Sequence, residues 1–490
     1  MASTNHQESK PVRGVKPWVR TRRIMLTVAI VVFVAPCILI ISAKHFSDKN
    51  LAGYVEAIRS EGLPISVIDL PDWQAALSQG AGVAQASGGP GGATAAERCL
   101  QAVALLQPEG GSPSVDEINL ILERYDEEAT LTPEAGEQLR ARVAENAQAV
   151  ALLREASSLP PGNFPVDYTA GWDMDLPYQS GIRRAARLLR GEAVAAALEN
   201  DPERAFQALV AAIALSRPLQ NDILLSSQLL RAGCNSNALR TLGQVLGMAR
   251  LNEAHLVRLQ ELFSAAYPED AFSNALVSER TFALLLFQNP ALMFGEDERV
   301  TVVDAEEYDL PMFQKASAPA VFLAERREYF DGMRELINAI RLPYPESQAV
   351  FERVAGQPRL RFRPRSKDSP AENRPHHPPR PGLRGMFLSY SRLPQVMARD
   401  RARLNQGTAA LAVERYRLAR GTAPERLEAL VPAYLAAPPV DPFDLQPLRY
   451  QQDDKGYLIY SVSVNGKDEA GQAGEFADQG DLPFRVNYPQ

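Results

Sequence analysis

The stretch ENDPERAFQALVAAI, residues 199–213, shows how most of this chain is expected to fold. Asp201 can cap a helix with its carboxylate, and the fixed φ angle of Pro202 suits the first helical position. Four apolar residues then recur with the spacing of one helical face: Phe206, Leu209, Val210 and Ile213. The stretch therefore predicts a helix that begins at Pro202 and buries one side.

The same pattern recurs along a large part of the sequence. Asn252 can cap a further helix, and residues 271–287 and 319–342 have helical periodicity. The apolar side of the helix after Asn252 carries Leu256, Leu259, Phe263 and Ala266. Amphipathic helices joined by short capped turns commonly pack against one another. We therefore expect a mainly α protein in which residues 96–356 form an antiparallel helical array.

The stretch from Asp201 to Ala212 resembles the second helix of a tetratricopeptide repeat. The matching positions are Asp201, Glu203, Ala205 and Ala212. The resemblance implies a repeat-like helical scaffold. It covers one half-repeat, however, and no period of about 34 residues runs through the sequence. Ordinary helix packing is the alternative that the sequence leaves open.

Composition bounds the class of protein. The chain has 490 residues, of which 46% are hydrophobic and 23% charged, and these are ordinary values for a globular protein. The net charge of -7 gives no reason to expect nucleic-acid binding. Three cysteines exclude a small disulfide-stapled fold, and five histidines leave little material for a histidine-rich metal site.

A basic segment and a long apolar run stand next to each other at residues 1–43. Residues 1–23 contain six Lys or Arg residues and one acidic residue, and residues 24–43 contain no charge. Twenty helical residues span about 30 Å, which matches the hydrocarbon core of a bilayer. Basic residues favour the cytoplasmic side. The sequence thus predicts a basic cytoplasmic tail at 1–23 and a single helix at 24–43 that spans the inner membrane. The rest of the chain is then expected on the periplasmic or extracytoplasmic side.

Three alternatives to an uncleaved anchor fit the sequence less well. A signal peptide has a shorter apolar core and a small-x-small cleavage site, to which residues 41–43 are a poor match. A lipoprotein requires a small residue before its cysteine, whereas Pro36 precedes Cys37. A buried soluble helix does not account for the asymmetry of charge.

Two segments are predicted to lie outside the helical array. Residues 44–95 form a juxtamembrane segment that ends in a Gly/Ala-rich loop. Residues 357–384 contain seven prolines and eight Lys or Arg residues against two acids, which predicts an extended basic linker. A C-terminal α+β module is expected to follow at residues 385–490.

Residues 396–490 carry four motifs in a fixed order. The motifs are ERYRLARG (414–421), which ends a long helix, PERLEALV (424–431), DPFDLQPLRY (441–450) and YSVSVNG (460–466). Their order resembles the globular domain of the major pseudopilins of type II secretion. The resemblance covers about 90 residues and implies a long helix, a short helix and short strands. The whole chain is similar in layout to uncharacterised membrane-anchored envelope proteins of bacteria with a helical middle region.

The pseudopilin resemblance also implies a calcium ion. In that family, Ca2+ binds in the loop after the serine–glycine turn, and the matching loop here is rich in oxygen ligands. The candidate ligands are Asn465, Asp468, Asp478 and Asp481. Departures from the family are a substituted turn, the missing processing motif, and about 350 residues between anchor and module. A solvated acidic loop is the alternative.

The sequence contains no common catalytic signature. H-E-x-x-H, G-x-S-x-G and the phosphate-binding G-x-x-x-x-G-K-[ST] are all missing. Cys99 and Cys234 could form one disulfide in an oxidising compartment, or remain buried thiols. The leading hypothesis is a non-enzymatic scaffold or protein-interaction module that is anchored in the membrane and binds an envelope protein. The alternatives are an accessory component of a type II secretion or pilus-like system, and a hydrolase whose site is assembled from distant residues.

Overall fold

A computed structural model describes residues 49, 51–80, 92–106, 113–128, 131–288, 326, 328–356, 383–474 and 479–488. The predicted tail at 1–23, the membrane segment at 24–43 and most of the linker at 357–384 lie outside these ranges. Within them, no helix combines the length and the apolar character needed to cross a bilayer.

The chain is mainly helical, with a small antiparallel sheet near its C-terminus. The strands are β1 (Arg449–Asp453), β2 (Gly456–Ser461) and β3 (Leu482–Asn487), and short 3-10 helices cover Val67–Asp69, Tyr168–Asp173 and Leu427–Leu430. The helices are α1 (Leu70–Gly80), α2 (Ala95–Leu105), α3 (Pro113–Glu128), α4 (Pro133–Glu145), α5 (Ala147–Ala156), α6 (Tyr178–Leu198), α7 (Pro202–Ala214), α8 (Arg217–Gln220), α9 (Leu225–Met248), α10 (Glu253–Ser264), α11 (Ala271–Gln288), α12 (Tyr344–Gly356), α13 (Leu383–Tyr390) and α14 (Leu393–Arg420).

The chain divides into two units. One comprises residues 1–57 and 289–330, and in its described part the rings of Tyr54 and Phe330 stack with centroids 5.5 Å apart. The other comprises residues 58–288 and 331–490, and it contains all the features discussed below.

The helix starts follow the capping chemistry that the sequence predicts. The carboxylate of Asp201 accepts a hydrogen bond of 3.0 Å from the backbone N–H of Arg204, and α7 begins at Pro202. The amide oxygen of Asn252 accepts one of 2.9 Å from the N–H of His255 at the start of α10. The predicted helix over 271–287 is α11. Of the predicted helix over 319–342, residues 328–339 are helical and the stretch before 326 lies outside the described part.

The pattern of residues 396–420 predicts a long helix that ends at Gly421, and α14 begins three residues earlier and ends at the predicted residue. Gly421 follows it with a φ of 81°, a left-handed conformation that glycine adopts without steric cost. The strands differ more from the sequence expectation. Alternating residues over 457–464 predict a strand that is buried on one face, but all six residues of β2 are buried.

Strand β2 is buried on both faces because the chain that follows it folds back over the sheet. On one face, the hydroxyl of Tyr457 donates to the carbonyl of Ala410 on α14. On the other face, Leu458 lies against Gly471, where an added Cβ would be 2.3 Å from a Leu458 methyl carbon. Antiparallel pairing with β1 and β3 completes the sheet, in the order β1-β2-β3.

One hydrophobic core joins the helices to the sheet. It runs from Ala95 on α2 through α6, α7, α9, α10 and α14 to Phe484 and Val486 on β3. Strand β3 lies directly on α9, and a Cβ added at Gly247 would be 2.6 Å from the backbone carbonyl oxygen of Asn487. The predicted array and the predicted C-terminal module therefore share this main core, beside which the described residues form two smaller clusters around Leu70 and Phe443.

Candidate functional site

The acidic loop that was predicted to bind calcium covers the outer face of β2. Asp481 anchors it, because one carboxylate oxygen accepts hydrogen bonds from the N–H groups of Glu469 (3.0 Å) and Gly471 (2.7 Å). Asp481 is 5% exposed. The loop is thus tied to the start of β3 by a buried carboxylate.

Two carboxylate oxygens in this loop are buried without a hydrogen-bond partner among the described residues. They are Oδ1 of Asp481 and Oε2 of Glu469. Burial raises the pKa of Asp481, and the neighbouring carboxylate of Glu469 raises it further. Two adjacent, desolvated carboxylates are costly unless a proton or a cation neutralises one of them.

The other predicted ligands have different surroundings. The side chain of Asn465 donates to Oε1 of Glu469 (2.8 Å) and accepts from the N–H of Lys467. Oδ1 of Asp468 accepts from the hydroxyl of Tyr460 (3.1 Å) and from the N–H of Ala470. Both side chains hold the loop together by hydrogen bonds. Asp478 lies outside the described residues.

The loop therefore fits a cation in part. Buried oxygens that lack partners are the donor type that Ca2+ requires. Among the described residues, no three His, Cys, Asp or Glu side chains are grouped so that they could hold a metal ion. Glu469, which was not among the four predicted ligands, is a better candidate than Asn465 or Asp468 because its free oxygen is buried beside Asp481.

A second acidic residue fixes the turn that precedes the sheet. Asp441 is fully buried and accepts hydrogen bonds from the hydroxyl of Ser461 (2.9 Å) and from the N–H groups of Val462 (2.9 Å) and Phe443 (3.0 Å). Burial raises the pKa of this carboxyl. Arg449 also lies within 3.3 Å of Asp441. The Asp-Pro turn at 441–450 is thus a structural support for β1 and β2.

Two adjoining recesses lie where the helices meet the turn segments of the C-terminal module. The smaller has a volume of about 300 Å³ and lies between α10, α14 and residues 434–439. The larger has a volume of about 440 Å³ and is bounded by residues 267–270, 340–347, α14 and the 442–445 turn. Tyr267 and Arg401 line both recesses, with the guanidinium 4.6 Å from the ring centroid.

Behind Tyr267, a buried ion pair joins α9 to α14. Nη1 of Arg231 donates to Oδ2 of Asp400 (2.8 Å), and both side chains are fully buried. The amide of Asn235 donates to the other oxygen of Asp400 (2.9 Å). The Arg231 guanidinium also lies 5.9 Å from the ring centroid of Tyr267. This pair fixes how α14, which lines both recesses, sits on α9.

The remaining candidates from the sequence have structural surroundings. Cys99 and Cys234 are free and buried, and burial raises the pKa of each thiol to about 12. His255 stacks on Phe206 with centroids 4.2 Å apart, and its Nε2 lies 3.0 Å from a carboxylate oxygen of Glu203. His255 therefore links α10 to α7.

Sequence reasoning missed both recesses. Their walls come from segments up to about 180 residues apart, such as 260–270 and 434–445, so no local pattern identifies them. Searches with this chain against protein-family models, against curated proteins and against solved structures each find no match.

Proposed function

We propose that this protein is a membrane-anchored, extracytoplasmic scaffold that binds a partner protein of the cell envelope. The observation that carries the proposal is the pair of recesses at the junction between the helices and the C-terminal module. Binding sites commonly occupy such junctions. The shared core and the buried Arg231–Asp400 pair hold the walls of the recesses in place.

The proposed location rests on the sequence. A basic segment at 1–23 precedes the uncharged run at 24–43, which has the length of a bilayer-spanning helix. The proposed topology places the N-terminus in the cytoplasm and residues 44–490 on the periplasmic side of the inner membrane. The proposed body is a helical array of weakly tetratricopeptide-like character, and the α6–α7 hairpin is the part that supports this likeness.

Protease protection tests this topology on the full-length chain. The chain should stay with membranes after alkaline carbonate extraction, and protease added to intact spheroplasts should digest residues 44–490. Recovery of the chain in the soluble fraction, or protection of its bulk until the spheroplasts are lysed, would contradict the proposal.

We further propose that the acidic loop binds Ca2+ through Asp481 and Glu469. The cation would supply positive charge to two neighbouring carboxylates, each of which has one buried oxygen without a partner among the described residues. Asp481 would continue to position the loop through its second oxygen. Ca2+ would then stabilise the covering of β2.

Thermal unfolding of the full-length chain tests the calcium site. Calcium should raise the melting midpoint by several degrees relative to a chelator, because a ligand that binds only the folded state stabilises it. Asp481→Asn should remove most of this shift, whereas Asp454→Asn, at an exposed turn position of the same module, should keep it. Equal midpoints of the wild type with calcium and with chelator would remove the proposal.

The second candidate function is an accessory role in a type II secretion or pilus-like system. It is supported by the order of α14, the 3-10 helix Leu427–Leu430, the Asp441 turn and the three strands, which is the order that the pseudopilin resemblance implies. A photo-crosslinking residue at Leu418, an exposed position on α14, should capture a secretion-system subunit. The same residue at exposed Leu120 on α3 serves as the control. Equal capture at both positions, or none at Leu418, would argue against this role.

A further inference from the structure

The larger recess has apolar walls and opens to solvent. Six of its lining residues are Ile340, Leu342, Pro343, Met397, Pro442 and Leu445. Leu342 and Leu445 are 44% and 52% exposed, although large aliphatic side chains are usually buried. Leu445 also has a φ of 61°, a left-handed conformation that is strained for a residue with a Cβ. An apolar side chain from another molecule would cover these surfaces.

One buried polar group in this recess lacks a partner. Ser347 lies in the first turn of α12 and is 2% exposed, and its hydroxyl has no hydrogen-bond partner among the described residues. A helical serine often donates to the carbonyl four residues earlier. The carbonyl of Pro343 accepts the N–H of Ser347 (2.9 Å), which is the ordinary helical hydrogen bond, but it receives none from the hydroxyl. The hydroxyl can therefore donate to an acceptor supplied by a ligand.

The rim of the recess presents carboxylates to solvent. Oε1 of Glu269 accepts from Arg401 (2.7 Å), and Oδ1 of Asp270 accepts from Arg341 (2.9 Å). The carboxylate side chains are 74% and 64% exposed, against 40% and 52% for the two arginines. The second oxygen of each carboxylate has no partner in the described part of the chain. The carboxylates are therefore the more exposed partners of these two ion pairs, and each keeps one oxygen that can accept from a cation.

We propose that this recess binds an extended segment of a partner protein that inserts one apolar side chain and places a Lys or Arg against Glu269 and Asp270. A backbone carbonyl of the segment accepts the hydrogen bond from the Ser347 hydroxyl. This inference rests on the proposed scaffold function and specifies the chemistry of the partner. An apolar anchor provides affinity, and the exposed rim charges select basic neighbours.

Selection from a displayed library of random 12-residue peptides on the purified full-length chain tests the proposal. The selected peptides should share an apolar residue next to a Lys or Arg. A synthetic peptide of the consensus sequence should lose affinity about tenfold or more for Ala398→Phe, which fills the recess. The affinity of the same peptide for the double variant Glu269→Gln/Asp270→Asn should be about two- to tenfold lower than for the wild type. This difference in affinity should be smaller at high salt.

Two controls separate a loss of binding from a loss of folding. Glu155→Gln removes an exposed carboxylate that is paired with an arginine on α2, and it should leave peptide affinity unchanged. Far-UV circular dichroism and melting midpoints should show that each variant is folded. The rim variant keeps the wild-type cavity, so it remains informative if Ala398→Phe fails to fold.

Three outcomes would overturn the proposal. They are the selection of no consensus, a consensus without a basic residue, and equal affinity of the consensus peptide for the wild type and the rim variant. Because the selection uses purified protein, it is independent of the protease-protection result. If the peptide selection fails while protease protection gives the proposed topology, this inference is removed. The proposed location of the chain in the membrane then still stands.

Discussion

At the scale of single residues, the Arg231–Asp400 pair is an arrangement in which each charge depends on the other. Both side chains are fully buried, and Asn235 and Gln228 supply additional hydrogen bonds. Removing one partner leaves an uncompensated charge in a medium that solvates it poorly. The pair therefore makes the relative position of α9 and α14 sensitive to a single substitution.

We predict that Asp400→Ala lowers the free energy of unfolding by about 3–5 kcal/mol, because it leaves the Arg231 guanidinium buried and unpaired. Urea unfolding of the full-length chain measures the change. The double variant Arg231→Met/Asp400→Leu should lose less than Asp400→Ala, since it leaves no buried charge. A double variant that is less stable than the single one would contradict this account.

Asp222 predicts a dependence of stability on pH. It is 4% exposed, it accepts from the N–H of Leu224 (3.0 Å) and from the hydroxyl of Tyr178 (3.1 Å), and burial raises its pKa. Between the ordinary pKa of Asp and this raised value, the folded state binds more protons than the unfolded state. Stability from this group is therefore present at low pH and falls as the pH rises through the raised pKa.

The isosteric variant Asp222→Asn should remove this dependence, because its amide can still accept from Leu224 and can donate to the Tyr178 oxygen. Urea unfolding at several pH values should give a wild-type stability that declines with pH more steeply than that of the variant. The matched control Asp116→Asn, at an exposed position, should follow the wild type. Parallel curves for the wild type and Asp222→Asn would contradict the prediction.

At the scale of elements, two glycines on α9 allow a strand to lie against a helix. A Cβ at Gly243 would be 3.1 Å from the Phe484 ring, and one at Gly247 would be 2.6 Å from the carbonyl oxygen of Asn487. A Cβ cannot approach another atom as closely as the second distance requires. The atom that it would meet at position 247 belongs to the backbone, which cannot move aside as a flexible side chain can. Strand β3 can approach α9 this closely only because position 247 has no side chain.

We predict that Gly247→Ala destabilises the protein by about 1–3 kcal/mol, since β3 must move away from α9. Gly233→Ala is the matched control on the same helix, because a Cβ at Gly233 meets no atom within 4 Å. This control should be neutral or stabilising by up to about 1 kcal/mol, as alanine has the higher helix propensity. Urea unfolding distinguishes the two, and equal effects would show that β3 does not constrain position 247.

Much of the helical structure could be predicted because helix caps are local. Asp201 and Asn252 each cap within three residues, so a short window of sequence contains both donor and acceptor. The burial of β2 could not be predicted in this way, because Gly471 covers Leu458 from 13 residues further along the chain. For the same reason, the apolar recess with Ser347 has no signal in the sequence. The acidic loop could be found from composition, but the role of Glu469 required its buried oxygen.

At the scale of the whole molecule, one hydrophobic core joins helices α2 to α10 and α14 to the sheet. Leu239, Leu242 and Val245 on α9 belong to the same core as Phe484 and Val486 on β3. The membrane anchor, the linker boundaries and the binding of a partner stay predictions. Because the module shares this core, deletion of the C-terminal module would expose apolar surface of α9. A deletion would therefore disturb the helices as well as remove the module. Point substitutions are the appropriate probes.

The contact between α9 and β3 also has a consequence for synthesis. Helix α9 ends at Met248 and β3 begins at Leu482. Ribosomes add about 5–20 residues per second, so roughly 10–50 s separate the emergence of the two elements. During that interval the glycine-bearing face of α9 has no strand to cover it. We therefore expect a nascent chain that depends on chaperones until its last strand is made.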